Sequence, residues 1–345
     1  MSKVLITGGA GFIGFHLTNR LLNEGYEVIS IDIINDYYSI DLKYDRLNEY
    51  GVSRDEIKLN QPLKTRDNYT FIQLDLTDRE ALLDLFKKEK FDYVVNLAAQ
   101  AGVRYSIENP YTYEKNNVNG FLNILEGCRH NGVKHLLYAS SSSVYGLNTE
   151  IPFKESHPTE HPISLYAASK KANEMMAHTY SYLYDLPTSG LRFFTVYGPW
   201  GRPDMALFLF TEAMLKGKEM EVFNNGDMLR DFTYIDDIVD GITRLIPHTP
   251  VRITGETLPS DGSSAPYSVY NIGNGSPVPL MDYVREIEKN VGVEAKINFK
   301  PLQPGDVPKT FADTSKLEKA VGYKSQTSVP EGVKKFYAWY KEYYA

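Results

Sequence analysis

Tyr166 and Lys170 stand four residues apart in Tyr166-Ala167-Ala168-Ser169-Lys170. That spacing puts a phenol and an ammonium on one face of a helix. A nearby positive charge stabilises phenolate and lowers a pKa that is ordinarily about 10, so the pair could serve as a general base near neutral pH. Spacing alone carries little, because Tyr-x-x-x-Lys also occurs by chance on surface helices. A second group changes its meaning. Gly8-Gly9-Ala10-Gly11-Phe12-Ile13-Gly14 follows an apolar run and opens a helical pattern. Glycines there let a pyrophosphate approach bare backbone at a helix N-terminus, where free N–H groups and the positive dipole end favour it. The spacing is Gly-x-x-Gly-x-x-Gly rather than the commoner Gly-x-Gly-x-x-Gly, and alone it could be a purely structural turn. Asp32 ends the next apolar run, where a carboxylate binds the adenosine ribose hydroxyls; it also repels a 2′-phosphate, which favours NAD over NADP. Asp75 either meets the adenine in the same crevice or caps a helix ahead of Thr77. Four consecutive serines, 140–143, follow another apolar run, at the strand end where such sheets bind ligands; the alternative is a hydroxyl-rich loop satisfying its own backbone.

The elements that must position these residues alternate. Strands are expected over 3–7, 27–31, 70–74, 93–97 and 135–140, a helix over 12–24 ending at Gly25, and a helix capped by Ser164 and running through 171–174. Continuous apolar strands separated by helices predict an α/β fold, a Rossmann-type doubly wound parallel sheet with a smaller C-terminal lobe. The predicted domains are 1–190, with a returning segment near 233–272, and a mainly substrate-binding lobe, 191–345. The polar stretch 36–68 reads as a surface insertion and 255–266 as an exposed loop. The stretch 330–344 reads as an amphipathic helix whose Phe336, Trp339, Tyr340 and Tyr343 pack rather than bind.

The 345 residues, 42% hydrophobic and 23% charged, are those of an ordinary globular chain. A net charge of −7 offers no general attraction to nucleic acid or anionic membrane. Cys128 is the only cysteine, which rules out an internal disulfide. No apolar run approaches the ~20 residues of a membrane span. The N-terminus passes straight into a strand pattern with no signal-peptide cleavage region, so a cytoplasmic protein is expected. No metal site is predicted.

Together, the segments 8–14, 96–104, 140–146, Tyr166/Lys170, 191–205, Arg230-Asp231-Phe232 and Pro304-Gly305-Asp306-Val307-Pro308 resemble the extended short-chain dehydrogenase/reductase family, specifically its UDP-glucuronate 4-epimerase branch. The resemblance covers essentially the whole chain. It implies that Tyr166 takes the proton from the sugar O4 while hydride leaves C4 for a tightly bound NAD. Lys170 would also hold the nicotinamide ribose, and Ser141 would hydrogen-bond the reacting oxygen. A 4-keto sugar would turn over and take the hydride back on its other face. The C6 carboxylate is then β to a ketone and prone to leave as carbon dioxide, so it must be gripped; the resemblance assigns that grip to Ser141, Ser142, Ser143, Thr195 and Arg202.

By the same resemblance Gly8, Gly11, Phe12, Ile13, Gly14, Asp32, Asp75, Leu76, Leu97, Ala98, Gln100 and Asn116 line NAD, with Phe194 and Val196 near the nicotinamide. Arg230 would pair with the UDP diphosphate, its alternative being a surface ion pair with Asp231, and Asp306 would reach the uridine ribose. Arg104 faces the substrate or is structural. Gln303 stands where related galactose epimerases carry an arginine, which leaves more of the diphosphate to Arg230. Dehydratases of this fold use an acidic pair where Ser142 and Ser143 stand, and decarboxylating relatives carry a Glu at the Ser143 position, so both fall behind. An epimerase for neutral UDP-glucose, UDP-galactose or N-acetyl sugars is the alternative, and a silent NAD-binding sensor or scaffold is the non-enzyme one. A homodimer is expected, through roughly 113–131 and the Tyr166 helix.

Overall fold

The computed structural model describes residues 1–254, 258 and 261–344. The apolar runs become strands β1 (Lys3–Thr7), β2 (Glu27–Asp32), β3 (Pro62–Arg66), β4 (Tyr69–Gln73), β5 (Tyr93–Asn96), β6 (His135–Ser141) and β7 (Thr188–Phe193). Three short pairs follow: β8 (Thr195–Tyr197) with β11 (Phe232–Tyr234), β9 (Glu219–Val222) with β14 (Lys296–Phe299), and β10 (Leu229–Arg230) with β13 (Val278–Pro279). Strand β12 (Tyr267–Ile272) returns to the main sheet, whose order is β12-β7-β6-β5-β1-β2-β4-β3. Every pairing in that sheet is parallel except that of β3, which lies antiparallel on the β4 edge. The order reverses between β1 and β5, so the loops that leave their carboxyl ends diverge and open a crevice.

Both faces of the sheet are covered, which is why β1 is apolar on both. Val4 and Ile6 belong to one core with residues of the helices Phe12–Asn23 and Ile235–Leu245. Leu5 belongs to the other, with the helices Arg79–Glu89, Gly120–Asn131 and Leu165–Tyr184. Ser164 is extended and accepts the Ala167 N–H at 3.1 Å, so the Tyr166 helix starts one residue later. Glu174, one turn past Lys170, pins that helix to the sheet. It accepts Nε and Nη2 of buried Arg192 on β7 at 2.8 and 2.9 Å and the Ser140 hydroxyl of β6 at 2.7 Å. Removing either partner leaves a buried charge unpaired, a cost of about 3–5 kcal/mol.

The stretch 36–68 is not the surface insertion its composition suggests. It contains the helix Ile40–Asn48 and the edge strand β3, and Leu42, Lys43, Arg46, Leu47 and Tyr50 are buried. Two of these are cations, so a hydropathy pattern hides the inward face. Arg46 is fully buried and its two terminal nitrogens are held by oxygens: Ala10 O at 2.8 Å, Tyr38 Oη at 2.8 Å, Trp200 O at 2.6 Å and Gly201 O at 3.3 Å, while its Nε has no hydrogen-bond partner among the described residues. Of the expected loop 255–266, residues 255–257, 259 and 260 lie outside the described ones. Ser263 and Ala265 are buried rather than exposed, and Ser263 bonds His178. The last helix, Val329–Tyr344, buries Phe336 and Tyr340 and stacks Trp339 and Tyr343 beside Trp200. Among the described residues no helix is long and apolar enough to cross a membrane.

Candidate active site

One cavity of about 860 Å³ opens at the carboxyl ends of β1, β2, β5 and β6, and every site residue named from the sequence lines it. Its first wall is mostly main chain. Gly8 has φ +75, and a β-carbon there would lie 2.9 Å from the Ala98 nitrogen; at Gly14 one would lie 2.1 Å from the Gly8 oxygen. Gly11 precedes the helix Phe12–Asn23 and supplies no side-chain cap to its first-turn N–H groups, and Gly11, Phe12, Ile13 and Gly14 line the cavity. Asp32 accepts the N–H groups of Ala10 at 3.2 Å and Ile34 at 2.8 Å, which fixes its carboxylate at the rim while leaving lone pairs for hydroxyls. Asp75 lines the cavity with Leu76 and accepts the Thr77 N–H at 2.8 Å, but it is not the helix cap: Asp78 caps the helix Arg79–Glu89, accepting the Ala81 N–H at 3.1 Å. Thr7 bonds Asn96 at 2.7 Å and the Ala98 N–H at 3.0 Å, holding Leu97 and Ala98 against Gly8. The Gln100 main chain is held by Asn117, and the Asn116 amide by Thr112. A bare cradle, an N-terminal helix turn and a carboxylate at the next strand end suit a dinucleotide with unphosphorylated ribose hydroxyls.

The middle of the cavity holds Tyr166, Lys170 and Ser141. Here the expected electrostatics need correction. Burial raises the Tyr166 phenol above its usual value, and only the Ser141 hydrogen bond and the charge of Arg202 pull it back. Lys170 is not what lowers it. Burial pushes the Lys170 ammonium down to about 8, and it donates to the Ala139 carbonyl at 2.8 Å. The helix does place the two side chains on one face, but burial is the first cause of the shift in each. Ser141, the last residue of β6, accepts the Ser143 N–H at 3.2 Å; Ser142 and Ser143 continue as a single turn.

The far wall is made of side chains from distant segments. Thr195 and Val196 belong to β8 and follow Phe194. Arg202 is paired with Asp204, not free in solvent. Arg230 donates to Asp306 at 3.0 Å and to the Val307 carbonyl at 2.7 Å. Its expected alternative partner, Asp231, is fully buried and accepts the N–H groups of Asn274, Gly275 and Ala312. Arg104 stacks over Phe223 at 4.6 Å, and both line the cavity.

Among the lining residues that the sequence did not point to are Lys43, Tyr37 and Asp204. Lys43 donates to Asn35 at 2.6 and 2.7 Å beside Asp32, and burial lowers its pKa. The first two sit in the stretch taken for surface; their only signal was a Tyr/Lys-rich composition right after Asp32.

Comparison with known proteins matches the same architecture. The family model described as GDP-mannose 4,6 dehydratase matches residues 5–336. Protein CapI of Staphylococcus aureus is 54% identical over 99% of both chains. UDP-glucuronate 4-epimerase 4 of Arabidopsis thaliana is 47% identical over 99% of this chain and 76% of its own. Among solved structures, UDP-glucuronic acid 4-epimerase from Bacillus cereus, in complex with UDP-glucuronic acid and NAD, superposes with a TM-score of 0.85 at 32% identity, covering 99% of this chain and 100% of that one. The chain therefore belongs to the GDP-mannose 4,6-dehydratase family within the extended short-chain dehydrogenases/reductases.

Proposed function

We propose that the protein is an NAD-dependent UDP-glucuronate 4-epimerase, an isomerase that interconverts UDP-glucuronate and UDP-galacturonate. The observation that carries this is a single cavity with a phenol and serine hydroxyls at its centre and an arginine, Arg202, beyond them, while Ser142 and Ser143 stand where elimination would need carboxyl groups. The relatives and the solved structure bearing that activity support it.

NAD, seated on the 8–14 loop with its ribose at Asp32, would supply the hydride acceptor and donor at C4, and its positive nicotinamide would favour phenolate. The residues do the rest. Tyr166 takes the O4 proton and later returns it to the oxygen on the other face. Ser141 bonds the same oxygen and the phenol, so the proton has a defined path. Lys170, protonated below about 8, holds ribose hydroxyls and adds positive charge near O4. Arg202, with Thr195, Ser142 and Ser143, orients the C6 carboxylate; Arg230 and Asp306, already paired, take the diphosphate and the uridine ribose.

In this reading residues 1–190 with a returning segment near 233–272 bind the dinucleotide, and 191–345 mainly the UDP-sugar. A homodimer through the helices Gly120–Asn131 and Leu165–Tyr184 goes with exposed Leu122, Met175 and Leu183. A cytoplasmic place goes with one buried, unpaired cysteine.

The test is incubation with UDP-glucuronate without added NAD. UDP-galacturonate should form without UDP-pentose. Tyr166→Phe should keep its dinucleotide and lose about 10²–10⁴-fold in turnover; undiminished epimerisation by that variant removes the phenol from the base role.

A further inference from the structure

Arg202 does not wait alone for a carboxylate. Its Nε and Nη2 already grip both oxygens of Asp204, at 3.0 and 2.5 Å. That fork uses one edge of the guanidinium and leaves Nη1 and the remaining Nη2 hydrogen for a second carboxylate. Asp204 is itself held. The Tyr37 hydroxyl donates to Oδ2 at 3.3 Å, and the Arg202 guanidinium lies 6.0 Å from the centre of the same ring. Burial first, and the Asp204 charge next, push the Tyr37 phenol up to about 12, so it stays a donor. Its seat is tight: at Gly102 a β-carbon would come within 2.5 Å of the Tyr37 oxygen, and the ring packs on Tyr105 at 5.0 Å. Three segments, the 36–68 stretch and the loops after β5 and β8, thus converge on one flexible side chain that the mechanism needs fixed.

We propose that Asp204, braced by Tyr37, is a positioning residue that fixes the Arg202 guanidinium against the substrate C6 carboxylate and so keeps the keto sugar from losing carbon dioxide. This rests on the uronate-epimerase reading and assigns the 36–68 stretch a part in it. Once C4 is a ketone, a change of ring pucker that swings C6 and its carboxylate out of the carbonyl plane brings the C5–C6 bond parallel to the carbonyl π system. That bond then breaks, carbon dioxide leaves, and the electron pair forms the C4–C5 enolate. C5 takes a proton from water, which leaves a UDP-4-keto-pentose. No oxidant is needed beyond the hydride transfer that made the ketone. An Arg202 fixed on one edge by Asp204 opposes that swing from its other edge; an unbraced arginine follows the carboxylate as it moves.

The experiment uses the full-length protein with its bound NAD, and UDP-glucuronate labelled at C6. It reads UDP-galacturonate, UDP-4-keto-pentose and released carbon dioxide for wild type, Asp204→Asn and Tyr37→Phe. The decarboxylated share should rise about tenfold in Asp204→Asn and about threefold in Tyr37→Phe, with a smaller fall in UDP-galacturonate formation. A wild-type product ratio in the folded variants, however slow they are, overturns the proposal, because a merely structural ion pair slows turnover without redirecting it. Tyr37→Phe removes one hydroxyl and keeps the test alive if Asp204→Asn does not fold. If the wild type forms no UDP-galacturonate, the parent reading falls and takes this one with it; a wild type that epimerises beside variants with an unchanged ratio sinks this one alone.

Discussion

The two walls of the cavity are built on opposite principles. The dinucleotide wall comes from main chain at three adjacent strand ends, with glycines where any side chain would collide. The sugar wall comes from side chains scattered from Arg104 to Asp306, held in place by ion pairs such as Arg202–Asp204 and Arg230–Asp306. A wall of backbone is fixed by the fold and admits few changes. A wall of paired side chains can be retuned one residue at a time, and there a choice among sugars can be made without disturbing the cofactor.

Substitutions on the two walls should therefore differ in kind. The largest effect belongs to the first: Gly14→Ala sets a β-carbon 2.1 Å from the Gly8 oxygen, so purified protein should carry no dinucleotide and should melt well below wild type. A variant that retains NAD would show that the loop can shift, and would blur the contrast. Next is Arg202→Ala, which should keep NAD and raise KM for UDP-glucuronate about 10–100-fold, far more than for UDP-glucose. Equal losses on both sugars would mean that the charge does not read the carboxylate.

The smallest sits where the walls meet. Lys170 has a folded pKa near 8, below its ordinary value of about 10.4. The unfolded chain then holds the proton more tightly. The buried ammonium costs stability below pH 8, and that cost fades as pH rises from 8 past 10. Lys170→Met should stabilise at pH 7 by on the order of 1–3 kcal/mol while losing turnover, with the difference in melting temperature closing by about pH 10. A variant less stable at pH 7 would show that the bond to the Ala139 carbonyl outweighs desolvation.

The same contrast explains what could be read in advance. The five strands named in advance, β1, β2, β4, β5 and β6, lie within a residue of their expected bounds, because a strand buried on both faces is a short unbroken apolar run. The glycine loop and Asp32 are local to two such runs and were legible with them. Tyr37, Arg46 and Asp204 were not, since each matters through partners far away in sequence: Arg46 reaches Trp200 and Tyr37 reaches Asp204. Lys43 was not either, although its partner Asn35 is near. Polar side chains turned inward leave no apolar period to detect. The phenol's electrostatics went astray for a related reason: helical spacing gives the distance to Lys170, but burial is a property of the whole enclosure.

Arg46 has one more consequence. The three carbonyls that hold it, from Ala10, Trp200 and Gly201, cannot take up a proton. The grips on Arg202 and Arg230 rest on carboxylate charge, whereas this junction between the phosphate-binding loop and the segment after β8 rests on neutral main-chain oxygens and has no charge to lose.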